Sequence, residues 1–322
     1  VGKTKGEILW IVRKFVLPIF VDGLVFNMGR TTAAPHLLLL LLLSDTARAQ
    51  PGERLPATFT ISLHGGQIQH NASGAHLSRL ARLRQDLGAR GFRIDLFWDD
   101  LQPANGSGWD AQKVAFYRAF YAAQRGGSVI ILGGPPAWAK ALYAHSAAAF
   151  LAAWQRYLTK ACAIVGDSQV IAWQLWNEMN HEPSRWIHND DATVRAVFAL
   201  AGQAVRQSPE LGNSGKSAPR YVNVMADDHL GVLGMIPWEE ALDRWIGRSE
   251  GQHSASAAAV DGIGIDHYPG TWTLDPAYGE WRPLSTLLAR VSERNNSWFG
   301  KRVSIMETGY STWNKVLATD RM

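Results

Sequence analysis

Two glutamates stand where a folded chain could do acid–base chemistry. Glu178 comes just after the apolar run Val170–Trp176, and Glu307 comes just after Val303–Met306. Short apolar runs are typical of buried strands, so each carboxyl group is expected at a strand end. Two facing carboxyl groups suit the hydrolysis of a glycosidic bond, since one donates a proton to the leaving oxygen and the other attacks or activates water. Burial and the charge of the partner can separate the two pKa values, which keeps one group protonated and the other ionised.

These glutamates need a scaffold, and the sequence predicts alternating strands and helices. The seven predicted strands are Phe59–Leu63, Phe92–Trp98, Val129–Leu132, Val170–Trp176, Tyr221–Met225, Ile263–Asp266 and Val303–Met306. The predicted helices are His76–Arg90, Ala111–Arg125, Ser146–Ile164, Asp191–Gln207, Pro237–Ile246 and Pro283–Arg294. Such alternation implies a parallel sheet with right-handed crossovers, which is an α/β fold.

A (β/α)8 TIM barrel is the predicted architecture. A Gly-x-Gly-x-x-Gly fingerprint does not follow the first predicted strand, which argues against a dinucleotide-binding sheet. Barrel enzymes place their chemistry at the C-terminal ends of the strands, where both glutamates lie. Residues 308–322 are too few for an eighth strand with its helices, so the barrel is expected to be truncated before strand eight. The alternative is that Ile8–Val12 fills the eighth position.

Four segments together resemble one group of enzymes, glycoside hydrolase clan A. They follow the order of the clan on strands two, four, six and seven: Gly91–Ile94, Trp173–Glu178, Gly262–Pro269 and Ser304–Tyr310. The resemblance covers about Thr58 to Trp313 and implies a retaining barrel enzyme. The last two segments are also similar to the endo-β-1,4-galactanase family. The Trp-Asn-Glu segment is similar to cellulase-like and β-xylosidase-like families, so the resemblance leaves the sugar open.

The resemblance implies roles for three residues of the strand-four and strand-seven segments. Glu178 would be the general acid and then the general base, and Glu307 would be the nucleophile. Asn177 would form a hydrogen bond with the 2-hydroxyl of the sugar, a contact that strengthens in the transition state. The alternatives are that the glutamates are salt-bridged loop acids and that Asn177 caps a helix.

The resemblance also implies supporting residues on strands two and six. Arg93 would keep Glu307 ionised through its fixed positive charge, unless it is a structural partner of Asp95 or Asp99. Tyr268 would hold and tune Glu307, unless it is a rim residue. His267 is the second candidate on strand six, because strand alternation directs only one of two successive residues into the barrel mouth.

Aromatic residues at strand ends are candidates for sugar binding, since their apolar faces stack on pyranose rings. The chain has 14 tryptophans. Trp138, Trp176 and Trp313 lie at or after predicted strand ends and are predicted to contact substrate. His64, at the end of the first strand, is predicted to bind a sugar hydroxyl. Burial in the core is an equally good interpretation of each of these four residues.

Composition excludes several other functions. Residues 50–322 hold 26 Lys/Arg and 25 Asp/Glu, so no basic surface for nucleic acid is expected. The single cysteine, Cys162, excludes an intramolecular disulfide and a multi-cysteine metal site. We expect no metal and no cofactor. Metal-capable residue types do occur, but in predicted helix starts and loops where acids favour caps: His188, Asp190, Asp191, Asp227, Asp228 and His229.

The first 49 residues resemble a targeting segment rather than part of the fold. Met28 and Arg30 precede the seven-leucine run Leu37–Leu43, and Ala47-Arg48-Ala49 follows it, an order typical of a secretory signal peptide. The run is too short for a membrane span, which needs about 20 residues. A buried leucine helix is the alternative. We predict a non-native upstream extension over 1–27, a signal peptide over 28–49 and a C-terminally incomplete catalytic barrel over 50–322. The protein would be secreted or periplasmic.

Together these observations predict a secreted retaining glycoside hydrolase. Its partner would be a β-linked oligosaccharide or polysaccharide of plant type, and a monomer is expected. A non-catalytic carbohydrate-binding barrel is the first alternative, and a metal-dependent barrel hydrolase is the second.

Overall fold

The structure is a computed structural model of the 322-residue chain. It describes residues 20–21, 24–25, 38–42, 58–63, 74–104, 108–181, 186–187, 189–226, 236–247, 255–267, 284–294, 298, 300–308, 313–314 and 319–320.

Seven parallel strands form the centre of the fold. They are β1 Thr58–Leu63, β2 Gly91–Phe97, β3 Ser128–Gly133, β4 Val170–Gln174, β5 Arg220–Met225, β6 Gly262–His267 and β7 Arg302–Thr308. Each strand pairs with the next in chain order, so the sheet runs from β1 to β7 without a crossover between distant strands. The sheet curls into an open half-barrel, which confirms the predicted α/β barrel class.

Helices connect the strands and cover the outside of the sheet. They are α1 Gly74–Asp86, α2 Trp98–Leu101, α3 Ala111–Ala123, α4 Ala137–His145, α5 Ala147–Val165, α6 Asp191–Gln207, α7 Asn213–Ser217, α8 Trp238–Ile246, α9 Ala255–Ala259 and α10 Leu284–Arg294, with a 3-10 turn over Met179–His181. Helix starts follow the capping chemistry of the sequence. Asp110, Ser146 and Asp190 each accept a hydrogen bond from the backbone N–H three residues on. Within the described ranges, no helix combines the length and apolarity that crossing a bilayer requires.

The leucine run forms a strand rather than a helix. Leu38–Leu42 pairs antiparallel with β1, with Leu40 opposite Thr60, at the edge where a parallel eighth strand would close a barrel. Two short antiparallel ladders lie outside the main sheet, Phe20–Val21 with Leu24–Val25 and Trp313–Asn314 with Thr319–Asp320. The alternative that Ile8–Val12 takes the eighth position lies outside the described residues. The signal-peptide assignment stays a prediction.

Helix α2 and the end of β4 differ from the sequence prediction. Trp98 was expected to close the second strand, but it begins α2, where its ring is buried against Tyr157. The fourth strand ends at Gln174, two residues earlier than expected, although Leu175 still donates its N–H to the carbonyl of Tyr221.

One side of the sheet packs on a continuous layer of aromatic rings beneath α4 and α5. We call it the aromatic layer, and its members are Trp98, Phe150, Trp154, Tyr157, Trp176 and Trp186. Neighbouring ring centroids lie 4.9–6.3 Å apart, within the range of favourable aromatic pairs. This layer anchors β2, β3 and β4 and so fixes one wall of the barrel mouth.

Candidate active site

The two predicted glutamates converge at the C-terminal mouth of the sheet. Side-chain oxygens of Glu178, Glu307 and a third acid, Asp266, all lie within 4.8 Å of one another. Glu307 is 5% exposed and the side chain of Glu178 is 16% exposed. The three carboxyl groups therefore share one small, mostly buried space that remains open on the side of Glu178.

Strand β7 presents Glu307 through a change of register. The ladder between β6 and β7 shifts between Ile305 and Glu307, which places Glu307 opposite Asp266. Such a bulge re-aims the side chain that follows it. The carboxylate of Glu307 accepts a hydrogen bond from Nη1 of Arg93 and forms an ion pair with it.

Arg93 on β2 is fully buried and links several strands through its guanidinium group. Its Nε and Nη2 donate to Oε1 of Gln174 at 3.0 and 2.8 Å, and Nη1 also donates to Oγ of Ser62 at 3.2 Å. Nη2 donates further to Oδ1 of Asn177 at 3.0 Å. Together with the bond to Glu307, these contacts match the five N–H groups of a guanidinium. Arg93 is thus a partner of Glu307, as the resemblance implies.

The amide of Asn177 has a fixed orientation. Its Oδ1 accepts from Nη2 of Arg93 and from Nε2 of Gln174, the latter at 2.8 Å. The oxygen therefore points to the interior, and the NH₂ group points away from these donors. Such an amide suits a ligand that accepts a hydrogen bond. The alternative of a helix cap does not fit, because Oδ1 is engaged by side-chain donors.

Glu178 sits in an unusual backbone conformation directly after β4. Its φ is 43°, in the left-handed region that residues other than glycine rarely adopt. Its backbone N–H donates to Oδ1 of Asn223 at 2.7 Å, and its carbonyl accepts from the N–H of His181 at 2.8 Å. These bonds hold the chain in a tight turn that presents the carboxyl group at the mouth. Strained conformations of this kind concentrate at functional sites.

Burial raises the pKa of Glu178 well above that of an ordinary glutamate. The charges of Asp266 and Glu307 raise the pKa further, whereas Arg93 opposes the shift. These shifts in the pKa favour the protonated form of Glu178. Nδ1 of His181 lies 3.7 Å from Oε2 of Glu178, on the open side of the group.

Asp266 is the site residue that sequence reasoning missed. Its side chain is fully buried at 0% exposure, and Nδ2 of Asn223 donates to its Oδ1 at 2.8 Å. Burial and then the charge of Glu307 raise the pKa of Asp266 to about 8, against the opposing effect of Arg93. The available signal was a charged residue at the end of the apolar run Ile263–Asp266, on the same side as the small residue Gly264.

The structure describes some of the other residues that were predicted to contact substrate and leaves others outside the described ranges. His267 closes β6 and is buried. Trp138 is half-buried, packs edge-on against Trp98 and donates from Nε1 to the carbonyl of Gln102 at 3.0 Å. His64 and Tyr268 lie outside the described residues, and of Trp313 the structure describes only the backbone strand.

Trp176 is not placed for the sugar contact that was predicted for it. The residue is 2% exposed, and its ring centroid lies 5.2 Å from that of Trp154 in the aromatic layer. The chain leaves β4 after Gln174, and this turns Trp176 towards the helices while Asn177 and Glu178 face the mouth. The interpretation of Trp176 as a core residue fits this position.

The metal-capable residues outside the mouth serve structural roles where they are described. Asp190 caps α6, and Asp191 pairs with Arg244 at 2.8 Å. The remaining four lie outside the described residues. At the mouth, the carboxylates of Glu178, Asp266 and Glu307 are ligand types that a hard cation accepts, but Arg93 already supplies a positive charge there.

The arrangement brings an acid and a carboxylate together in different environments. Burial and neighbouring negative charge favour the protonated form of Glu178, whereas Glu307 faces the guanidinium of Arg93. Pairs of titratable groups in such contrasting environments mark the acid and the base of a reaction. The geometry suits the cleavage of a bond placed between the two groups.

Comparisons with known proteins agree with this fold. An exo-β-1,4-mannosidase from an Opitutaceae bacterium matches at 15% identity with a TM-score of 0.56, over 80% of this chain and 47% of that one. Fungal β-1,4-galactanases match at 14% identity with a TM-score of 0.47, over 72% of this chain and 68% of that one. A β-glucosidase from Exiguobacterium marinum matches at 15% identity with a TM-score of 0.44, over 73% of this chain and 68% of that one. No family model matches the chain, and no curated protein does.

The structural neighbours are barrel glycosidases of the kind that the four sequence segments resemble. At 15% identity, the likeness to the mannosidase establishes the fold alone. The chain spans about half the length of the first two solved structures it matches, a β-glucosidase at 55% and the mannosidase at 47%.

Proposed function

We propose that the protein is a secreted retaining glycoside hydrolase that cleaves β-glycosidic bonds. The observation that carries this proposal is the convergence of Glu178 and Glu307 in contrasting environments at one barrel mouth. Their oxygens lie within 4.8 Å, nearer to the separation of about 5–5.5 Å between carboxyl groups in retaining enzymes than to the about 6.5–9.5 Å of inverting ones.

The reaction would proceed in two displacements. Glu307 attacks the anomeric carbon while Glu178 donates its proton to the departing oxygen, which breaks the glycosidic bond and forms a glycosyl-enzyme ester. Glu178, now a carboxylate, then takes a proton from water, and the oxygen of that water displaces Glu307 from the sugar. The outward NH₂ group of Asn177 is oriented to donate to the sugar 2-hydroxyl during both steps.

Substitution of the two glutamates tests these roles. Glu307→Ala should lower turnover of an aryl β-glycoside by more than about 10⁴-fold, because the covalent path is lost. Azide should restore turnover and give a glycosyl azide of inverted configuration. Glu178→Ala should slow substrates with poor leaving groups by about 10²–10⁴-fold and activated substrates far less. Ordinary rates in either variant would remove that residue from the mechanism.

A screen of the purified protein against galactan, xylan, mannan and cellulose addresses the substrate, which we propose to be a plant-type polysaccharide or oligosaccharide. Sugar specificity depends on loop geometry around the mouth rather than on the fold. Binding to one of these glycans without turnover would favour a carbohydrate-binding barrel instead. Loss of turnover on addition of a chelator would favour a metal-dependent hydrolase.

The proposal of secretion is supported by the order of three features in the sequence, which are a positive charge, then the leucine run, then Ala47-Arg48-Ala49. Cleavage after Ala49 would start the mature chain at Gln50 and would remove the leucine strand from the edge of β1. N-terminal sequencing of secreted material tests this, and a different mature end would contradict it.

A further inference from the structure

We propose that Asp266 is a positioning residue that shares a single proton with Glu178 and so keeps the acid loaded at neutral pH. This inference rests on the proposed function and deepens it, since a third carboxyl group is not required by a two-glutamate mechanism. It is carried by the hydrogen bonds around Asp266, which leave one of its oxygens for Glu178.

Asn223 on β5 distinguishes the two oxygens of Asp266. Its Oδ1 accepts from the backbone N–H of Glu178 at 2.7 Å, so its Nδ2 is the donor that reaches Oδ1 of Asp266 at 2.8 Å. Oδ1 of Asp266 is therefore an acceptor. A proton on this carboxyl group must sit on Oδ2.

Oδ2 of Asp266 is buried, and no described donor reaches it. Arg93 lies 4.0 Å from this oxygen, and its five N–H groups are matched by other acceptors. One carboxyl oxygen of Glu178 lies within 4.8 Å of one carboxyl oxygen of Asp266. A proton held between the two carboxyl groups would give the buried Oδ2 of Asp266 the partner it lacks and would relieve the repulsion of two buried carboxylates.

The charged groups around the pair favour one shared proton rather than none. Arg93 from β2 and Glu307 from β7 largely neutralise each other, and His181 lies beside Glu178 on the outer side. Strands β1 and β5 contribute the neutral Ser62 and Asn223. Two bare carboxylates within 4.8 Å of each other inside the protein would repel strongly, and this repulsion is what makes other close carboxyl pairs hold one proton between them.

The shared proton has a defined place in the reaction. Before bond cleavage it resides on Glu178 and faces the carboxylate of Asp266, whose negative charge keeps the proton from dissociating to solvent. Transfer to the leaving oxygen leaves two adjacent carboxylates. Their repulsion makes Glu178 a stronger base for the water of the second step, which returns the proton to the pair.

Asp266→Asn is the decisive variant, because it keeps Oδ1 as the acceptor for Asn223 while it removes the negative charge. Its new NH₂ group donates to the carboxylate of Glu178, so the proton of Glu178 is held less tightly. We expect the alkaline limb of kcat/KM for an unactivated β-glycoside to move down by about 1 pH unit or more. Rates at pH 5 should change little, whereas rates at pH 8 fall by about tenfold or more.

Asp243→Asn serves as the matched control. Asp243 accepts from Nε1 of Trp298 at 2.8 Å beside α8, away from the mouth, and its substitution should leave the pH profile unchanged. If Asp266 only held Asn223 in place, Asp266→Asn would leave the shape of the profile unchanged too. That result, in a protein with normal unfolding behaviour, would overturn the inference while leaving the glycosidase proposal intact.

Carbon-13 NMR titration of labelled carboxyl groups separates this inference from the proposed function. The wild-type chain should show a coupled pair that titrates above the normal range of carboxyl groups and is lost in Asp266→Asn. That result without any glycoside turnover would support the shared proton and contradict the enzyme. Titration of Glu178 and Asp266 in the normal range would overturn the inference, as would a wild-type pH profile that EDTA changes, since a bound cation would keep all three acids ionised.

Discussion

The two faces of the sheet are built from the same strands but have opposite chemistry. On β2, Arg93 faces the mouth, and its neighbours Phe92 and Ile94 pack into the hydrophobic core. On β4, Gln174 binds Arg93, and Trp173 is a core residue. Side chains alternate between faces with a period of two, so one short strand supplies both a buried polar cluster and a buried apolar layer.

The difference shows where stability and chemistry come from in this fold. Rings of the aromatic layer bury large apolar areas and fix the wall of the barrel. The mouth instead buries three acids around one arginine, which costs free energy unless each charge is compensated. We expect substitutions in the aromatic layer to act on folding alone. At the mouth, the effect on folding should depend on charge and therefore on pH.

Arg93→Met should have the largest effect, because it leaves Glu307 buried without its positive partner. We expect a loss of about 3–5 kcal/mol in the free energy of unfolding near neutral pH, together with loss of turnover. Urea denaturation followed by tryptophan fluorescence would measure the stability.

The pH dependence of this loss of stability follows from the direction of the pKa shifts. Arg93 lowers the pKa of both Glu178 and Asp266, so its removal raises both in the folded state. The folded protein then binds more protons than the unfolded chain, and stability falls as pH rises above about 4, the pKa of unfolded carboxyl groups. The wild type should show the same trend more weakly, up to about pH 8. A loss in Arg93→Met that is equal at pH 4 and pH 8 would mean that charge is not its cause.

Tyr157→Phe should have a smaller effect, confined to folding. The Tyr157 hydroxyl donates to the carbonyl of Leu96 and accepts from the N–H of Gly133 at 3.2 Å. Without it, two buried backbone groups lose a partner, which should cost about 1–3 kcal/mol. The cost should not vary between pH 5 and pH 8, since burial raises the pKa of Tyr157 far above that range. A pH-dependent loss would show that the aromatic layer is coupled to the acids of the mouth.

Cys162 should give the smallest effect. The thiol is buried in α5, and burial raises its pKa to about 11. We expect no reaction of the folded protein with a thiol reagent at pH 8 and complete reaction in urea, because the thiolate is the reactive form. Mass spectrometry would measure the adduct. Rapid labelling of the native protein would indicate that α5 opens locally.

The sequence predicts the order of elements well, because apolar runs and capping residues are local signals. All seven parallel strands and the convergence of the two glutamates follow from strand ends at one edge of a sheet. The buried position of Trp176 cannot be predicted from local sequence, since it depends on where β4 ends and on the space beside Trp154. The short helix α7 over Asn213–Ser217 is absent from the predicted elements, and its sequence contains a glycine and two serines, which are not strong helix formers.

Asp266 was missed for a related reason. Asp266 ends an apolar run, much as Glu178 and Glu307 follow one, but only the register between β6 and β7 shows that Asp266 lies opposite Glu307. Asn223 was equally hidden, because its role is to bridge the backbone of one strand end to the side chain of another. Residues that act between strands require tertiary structure to be recognised.

The guanidinium of Arg93 touches Ser62 on the first parallel strand and Glu307 on the last, so one side chain braces the seven parallel strands from first to last. If the protein has the activity proposed above, this contact constrains how the activity could be lost during evolution. A descendant that loses Glu178 or Asn177 keeps the contacts of Arg93 with Ser62 and Glu307, and it can persist as a folded glycan-binding protein. A descendant that loses Arg93 loses both catalysis and the stability of the folded sheet in a single substitution.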